Sequence, residues 1–92
     1  MRLSIYSLRK ILFQGEAESV NLKTVSGEIT VLDHHRPLVS TLTEGVMKIV
    51  DKERKERYFS VSAGFLEIQA NNNVRCIVDE EHTETQKHSL PL

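Results

Sequence analysis

Ninety-two residues support one domain that buries roughly 60–65% of the surface its unfolded chain exposes, and they leave no room for a cofactor domain beside a substrate domain. Hydrophobic residues make up 39% of the chain, with Val, Ile and Leu well ahead of the aromatics, which favours a compact core and a function carried on the surface. Twelve Lys/Arg against thirteen Asp/Glu give a formal charge of −1, which removes the electrostatic argument for nucleic-acid binding, since such a surface needs clustered, uncompensated cations.

Short β-branched and aromatic runs recur along the chain, separated by turn residues at intervals of roughly eight to twelve, the pattern of an all-β sandwich or barrel. The run 2–7 alternates Leu3 and Ile5 with Ser4 and Tyr6, and 10–15 is a second short run that Gly15 is expected to close. In 19–25, Val20 and Leu22 lie on one face with Asn21 and Lys23 on the other, and Ser26-Gly27 turns the chain into 28–32. The corner Asp33-His34-His35 follows, then strands over 37–42 and 45–50.

The charged run 51–57, "DKERKER", balances its cations with Asp51, Glu53 and Glu56 and reads as the solvated loop of a hairpin into 58–64. The last pair, 65–70 and 73–79, is joined by Asn71-Asn72-Asn73, residues that accept left-handed turn conformations at low steric cost. Its alternation sets Phe65, Glu67 and Gln69 opposite Leu66, Ile68 and Ala70. The predicted architecture is an antiparallel β-sandwich of roughly nine or ten short strands in two sheets over residues 1–80. Residues 81–92 show neither periodicity and are expected to form a polar, disordered tail.

Cys76 is the single cysteine, which excludes an intramolecular disulfide, and its place in an alternating strand predicts a buried, unreactive thiol. With no charged-then-apolar leader before the first strand, this fits a reducing cytoplasmic setting. No apolar run approaches the roughly 20 residues of a membrane span, so a membrane connection is expected only through a partner.

The candidate chemistry is sparse. Asp33-His34-His35 resembles the signature of metal-dependent phosphoesterases, but the ligands those enzymes take from other strands are absent, and adjacent histidines in an extended strand point to opposite sides. No serine occupies a nucleophile elbow, and the glycines at 15, 27, 45 and 64 are scattered instead of forming a phosphate cradle. His82 and His88 fit no zinc spacing, and Glu80-Glu81 lacks the apolar wall that would tune a general acid. On chemistry alone the chain reads as non-enzymatic, with no cofactor and no metal site expected.

Taken in order, the turn motifs resemble those of the epsilon subunit of rotary F-type ATP synthases. The segment "ILFQGEAESVNLKTVSGEITVLDHHRPLVSTLTEGVMKIV" is similar to the family's Phe-x-Gly-x-x-x-x-Val strand, followed by its Gly-Glu-(Leu/Phe)-Gly-Val-Leu-Pro-Gly-His-Ala-Pro-Leu corner. The segment "YFSVSAGFLEIQANNNVRCIVDE" is similar to Phe-x-Val-x-Gly-Gly-(Phe/Ile)-Leu-Glu-Val and the Asn-x-Val strand after it. The chain departs from the pattern at Thr30, at Asp33-His34 in place of Pro-Gly, and at Arg36 in place of alanine. The family usually continues into a two-helix hairpin, whose inhibitory role the polar residues 81–92 do not carry over.

The resemblance implies a non-catalytic subunit of the central stalk, peripheral to the cytoplasmic face of the cell membrane. It would pack on the gamma subunit and on the polar loops of the c-ring, so that ion-driven ring rotation stays coupled to ATP synthesis. By position, Glu28 would face a c-ring loop, while Ser7, His35, Arg36 and Ser40 would face gamma. Two other readings stay open from the residues themselves. One is a free-standing β-sandwich that binds a protein by its edges, and the other is a small metal-dependent hydrolase built on Asp33-His34-His35.

Overall fold

In chain order the strands are β1 (Arg2–Tyr6), β2 (Ile11–Thr24), β3 (Gly27–Leu32), β4 (Leu38–Leu42), β5 (Gly45–Asp51), β6 (Glu56–Val61), β7 (Gly64–Ile68), β8 (Asn73–Val78) and β9 (Glu84–Thr85). They come from a computed structural model that describes residues 1–79 and 84–85. The expected tail therefore falls mostly outside the described residues, as do His82, His88 and Glu80-Glu81. Residues 84–85 pair with β6.

Period-two alternation drives the burial. β8 turns Val74, Cys76 and Val78 inward, β7 turns in Leu66 and Ile68, and β5 turns in Met47 and Ile49, all within one contiguous hydrophobic core. Two packed β layers enclose that core, β1-β8-β7-β4 on one side and β3-β2-β5-β6 on the other.

Three features differ from the sequence reading. The runs expected at 10–15 and 19–25 are a single strand, β2, because Gly-Glu-Ala-Glu holds no turn-forming pair and Gly15 stays in register opposite Leu3. The extra residue appears instead as a bulge between Ala17 and Ser19, and a bulge bends its strand. β2 can therefore serve both layers, pairing with β1 along its first half and with β3, β5 and β4 along its second. Second, the two expected sheets are hydrogen-bonded into one continuous sheet that closes on itself through β2. Third, β1 and β8 run parallel, since β1 already gives one edge to β2 and β8 arrives on the other in the direction that its antiparallel pairing with β7 sets.

The connections follow turn chemistry. At the β2–β3 hairpin Gly27 takes φ +124°, and the Thr24 hydroxyl both donates to the Gly27 carbonyl (2.8 Å) and accepts from the Ser26 N–H (3.1 Å). The charged run does form the β5–β6 loop. Buried Asp51 organises it, its carboxylate accepting the N–H groups of Glu53 and Lys55 at 2.9 Å each. At the β7–β8 turn Asn72 adopts φ 64°, as the asparagine run predicts.

Candidate docking surface

The histidine corner is a clasp. The His35 N–H closes a tight turn on the Leu32 carbonyl (3.2 Å), and His34 sits at φ 64°, so neither residue extends the strand. The His34 N–H donates to Asn72 Oδ1 (2.7 Å), and Asn72 Nδ2 donates in turn to Asp33 (3.4 Å). The second Asp33 oxygen lies 3.6 Å from Lys52 Nζ, and the first accepts the Met1 ammonium, which also donates to the Ala17 carbonyl at 3.0 Å. The hydrogen bond from that ammonium, supported by Asn72 and Lys52, lowers the Asp33 carboxyl from its ordinary 3.8 to about 2. Asp33 thus ties the end of β3 to the start of the chain and to the β7–β8 turn.

With the carboxylate engaged by two cations and the His35 Nδ1 paired with the Arg36 carbonyl (2.7 Å), the corner is tied into the surrounding fold. Among the described residues no group of three His, Cys, Asp or Glu is placed to hold a metal ion. Cys76 is fully buried, and burial pushes its thiol up to about 12, so it offers no nucleophile.

What the surface offers is an apolar face. On the outer side of β4-β7-β8-β1, cross-strand register makes two rows, Thr41–Phe65–Ile77–Tyr6 and Val39–Glu67–Arg75–Ser4. Outward positions of a half-exposed sheet are ordinarily polar, yet Val39 is 72%, Phe65 58% and Ile77 47% exposed. Leu8, 90% exposed, stands beside them on the β1–β2 turn. An open groove of about 360 Å³ runs between Leu8, Thr41, Phe65 and Ile77, and a second of about 290 Å³ lies along Val39, Phe65, Glu67 and Arg75. Exposed apolar side chains gathered on one sheet face are the kind of surface on which partner proteins dock.

The residues singled out from the sequence border this layer but do not form one cluster. Ser7 accepts the N–H groups of Arg9 (3.3 Å) and Lys10 (3.2 Å), which shapes the turn that presents Leu8. His35, half-buried, and Arg36, exposed, precede β4 at the other end of the layer. Four to five strand residues separate the two ends, roughly 13–17 Å. Ser40 stands opposite Leu66 and shares its inward face, half-buried. Glu28 is exposed at the β2–β3 hairpin opposite Lys23, and that hairpin abuts the Leu42 end of β4, so Glu28 lies toward the Ser7 end. The apolar face itself went unread in the sequence. Its signal is there in the adjacent apolar pairs Leu38-Val39, Phe65-Leu66 and Ile77-Val78, since one member of each must face outward.

No described helix is long and apolar enough to cross a membrane. A family model, ATP synthase, Delta/Epsilon chain, beta-sandwich domain, matches residues 1–83. The ATP synthase epsilon chain of Protochlamydia amoebophila (strain UWE25) is 33% identical over 70 residues, covering 76% of this chain and 48% of its own, so the chain spans about half the length of that relative. In fold it resembles a chain of the Euglena gracilis mitochondrial ATP synthase (TM-score 0.82, 20% identity, 89% of this chain and 51% of that one). It also resembles a chain in the central stalk and c-ring structure of the Tetrahymena thermophila mitochondrial ATP synthase (TM-score 0.75, 16% identity, 87% and 63%). The register of the motifs, the closed β-sandwich and the match over nearly its whole length place this chain in the family of the ATP synthase delta/epsilon chain β-sandwich domain.

Proposed function

We propose that this chain is the epsilon subunit of an F-type ATP synthase central stalk, a non-catalytic body that packs the outer face of β4-β7-β8-β1 on the gamma subunit. The observation that carries the reading is the exposed Val39–Phe65–Ile77–Leu8 surface, bordered at one end by Ser7 and at the other by His35 and Arg36. Family membership supports a partner within the synthase complex, and the surface has chemistry suited to one. Fully burying an exposed apolar side chain contributes about 1.5–3 kcal/mol, and Phe65 and Ile77 are already partly covered, so these residues serve as anchors within a larger interface with a polar rim. Glu28, on an exposed hairpin tip, faces the polar loops of the c-ring, where a basic loop residue pairs with it. A subunit that links two rotating parts needs a rigid body with two separate contact surfaces, and a closed, densely packed sheet provides one. The subunit works at the cytoplasmic face of the cell membrane, held there by its partners.

The test is co-elution of the purified chain with the gamma subunit of its own organism on size exclusion at micromolar concentration. The wild type is compared with Phe65→Glu and with the His35→Glu, Arg36→Glu pair. A wild-type complex that Phe65→Glu abolishes, and that the corner pair weakens, supports the reading. Absence of a wild-type complex defeats it and leaves a free-standing binding module.

A further inference from the structure

The apolar face holds one charged pair. Glu67 and Arg75 stand directly opposite each other on β7 and β8, with Arg75 Nη2 2.8 Å from Glu67 Oε1. Gln69 Nε2 donates to the other carboxylate oxygen at 3.4 Å, so both Glu67 oxygens have partners within the sheet. Val39 flanks the pair on β4, and Phe65 and Ile77 make up the neighbouring row, all lining the same groove of about 290 Å³. Each side chain is a little under half exposed, open to water in the free subunit and covered once this face docks.

We propose that the Glu67–Arg75 pair is the specificity determinant of the docking face, a locally neutral couple that admits an uncharged, apolar partner surface and rejects a charged one. The inference rests on the gamma-docking reading above and adds the chemistry of the surface that gamma presents there. A partner carboxylate placed over the pair meets Glu67, and a partner ammonium or guanidinium meets Arg75. In both cases one charge is left uncompensated as water leaves. A neutral surface covers the pair with the internal ion pair intact and strengthened by the lower local dielectric. The carboxyl of Glu67 is already held below its ordinary range, first by the Arg75 hydrogen bond and then by Gln69, so the pair is fully ionised when the partner arrives.

The test measures binding to the gamma subunit by biolayer interferometry for the wild type, Glu67→Gln, Arg75→Gln, the apolar double Glu67→Met/Arg75→Met and the charge swap Glu67→Arg/Arg75→Glu, with the melting temperature of each. Removing one member leaves a buried unpaired charge, so each single variant is expected to bind at least about tenfold more weakly. Melting temperatures stay within a few degrees of wild type, because an exposed pair contributes little to folding. The apolar double and the charge swap, both neutral, are expected to return to within about fivefold of wild type. Singles that bind like wild type overturn the proposal while leaving the gamma reading intact. A double and a swap as weak as the singles also overturn it, since the pair's own atoms would then contact the partner. Failure of the wild type to bind gamma defeats the function proposed above and this inference with it.

Discussion

Replacing Gly64 with alanine tests the fold at the point where it meets the proposed docking face. Gly64 opens β7, pairs with both Leu42 and Val78, and lines the larger groove. A Cβ built there falls well inside van der Waals contact of the Ile77 carbonyl oxygen, 3.0 Å from Val78 Cα and 3.2 Å from the Ile77 carbonyl carbon. All three atoms are backbone of the adjacent strand and cannot rotate away, so β7 and β8 must separate locally by about 1 Å. Overpacking of this kind costs about 1–3 kcal/mol, and loosening the neighbouring Asp79 N–H to Ala63 carbonyl bond adds about 1 kcal/mol. The smaller unfolded-state entropy of alanine offsets about 0.4–1 kcal/mol. The net is about 1–3.6 kcal/mol, or roughly 4–29 °C in melting temperature for a domain of this size.

Two other glycines serve as controls. At Gly45 the added methyl meets only the flexible, exposed Lys23 side chain, and at Gly15 the nearest atom is the Phe13 ring at 3.8 Å. Both are expected to change stability by less than about 1 kcal/mol. Thermal unfolding followed by circular dichroism, with urea titration, gives all three. A Gly64→Ala melting temperature within about 3 °C of wild type refutes the argument, as does a Gly15→Ala protein as damaged as Gly64→Ala.

Asp33 carries a pH signature. Its folded value of about 2 lies below its ordinary 3.8, so the stability it contributes is present in full above about pH 4–5 and is lost as pH falls through 2. Urea titrations from pH 2 to 6 are expected to show wild type more stable than Asp33→Asn at pH 6, with the gap closing toward pH 2; a gap independent of pH contradicts the clasp. The Cys76 thiol, fully buried with its value pushed up to about 12, is expected to stay unlabelled by Ellman's reagent in the native protein at pH 8 and to react on unfolding. Prompt native labelling defeats that account. Leu66→Ala removes a side chain with no exposed surface and should cost about 2–5 kcal/mol in the same urea assay, whereas a loss below about 1 kcal/mol means the core is less tightly packed than described.

The elements that sequence reasoning recovers are those set by local chemistry. Alternation separates Leu66 and Ile68 from Phe65 and Glu67, and the first pair is the buried one, while turn chemistry places the charged β5–β6 loop and the left-handed Asn72. What it misses depends on partners distant in the chain. β2 runs through Gly15 because Leu3 pairs with it there, and the parallel β1–β8 pairing depends on which edge of β1 is left open once β2 has taken the other. The histidine corner shows the limit most clearly. Its residue types suggest a ligand set, but Met1, Lys52 and Asn72, supplied by three other parts of the fold, turn it into a clasp. The docking face is an intermediate case. Its adjacent apolar pairs are visible in the sequence, and only the strand register shows that Val39, Phe65 and Ile77 emerge side by side.

The central claim is that gamma covers the outer face of β4-β7-β8-β1, and hydroxyl-radical footprinting of the free chain and of its complex with gamma tests it most directly. The account predicts that Leu8, Phe65 and Ile77, all exposed in the free subunit, lose most of their reactivity in the complex, while Val46, 49% exposed on β5, keeps its own. A complex in which Phe65 and Ile77 oxidise as fast as in the free chain contradicts it.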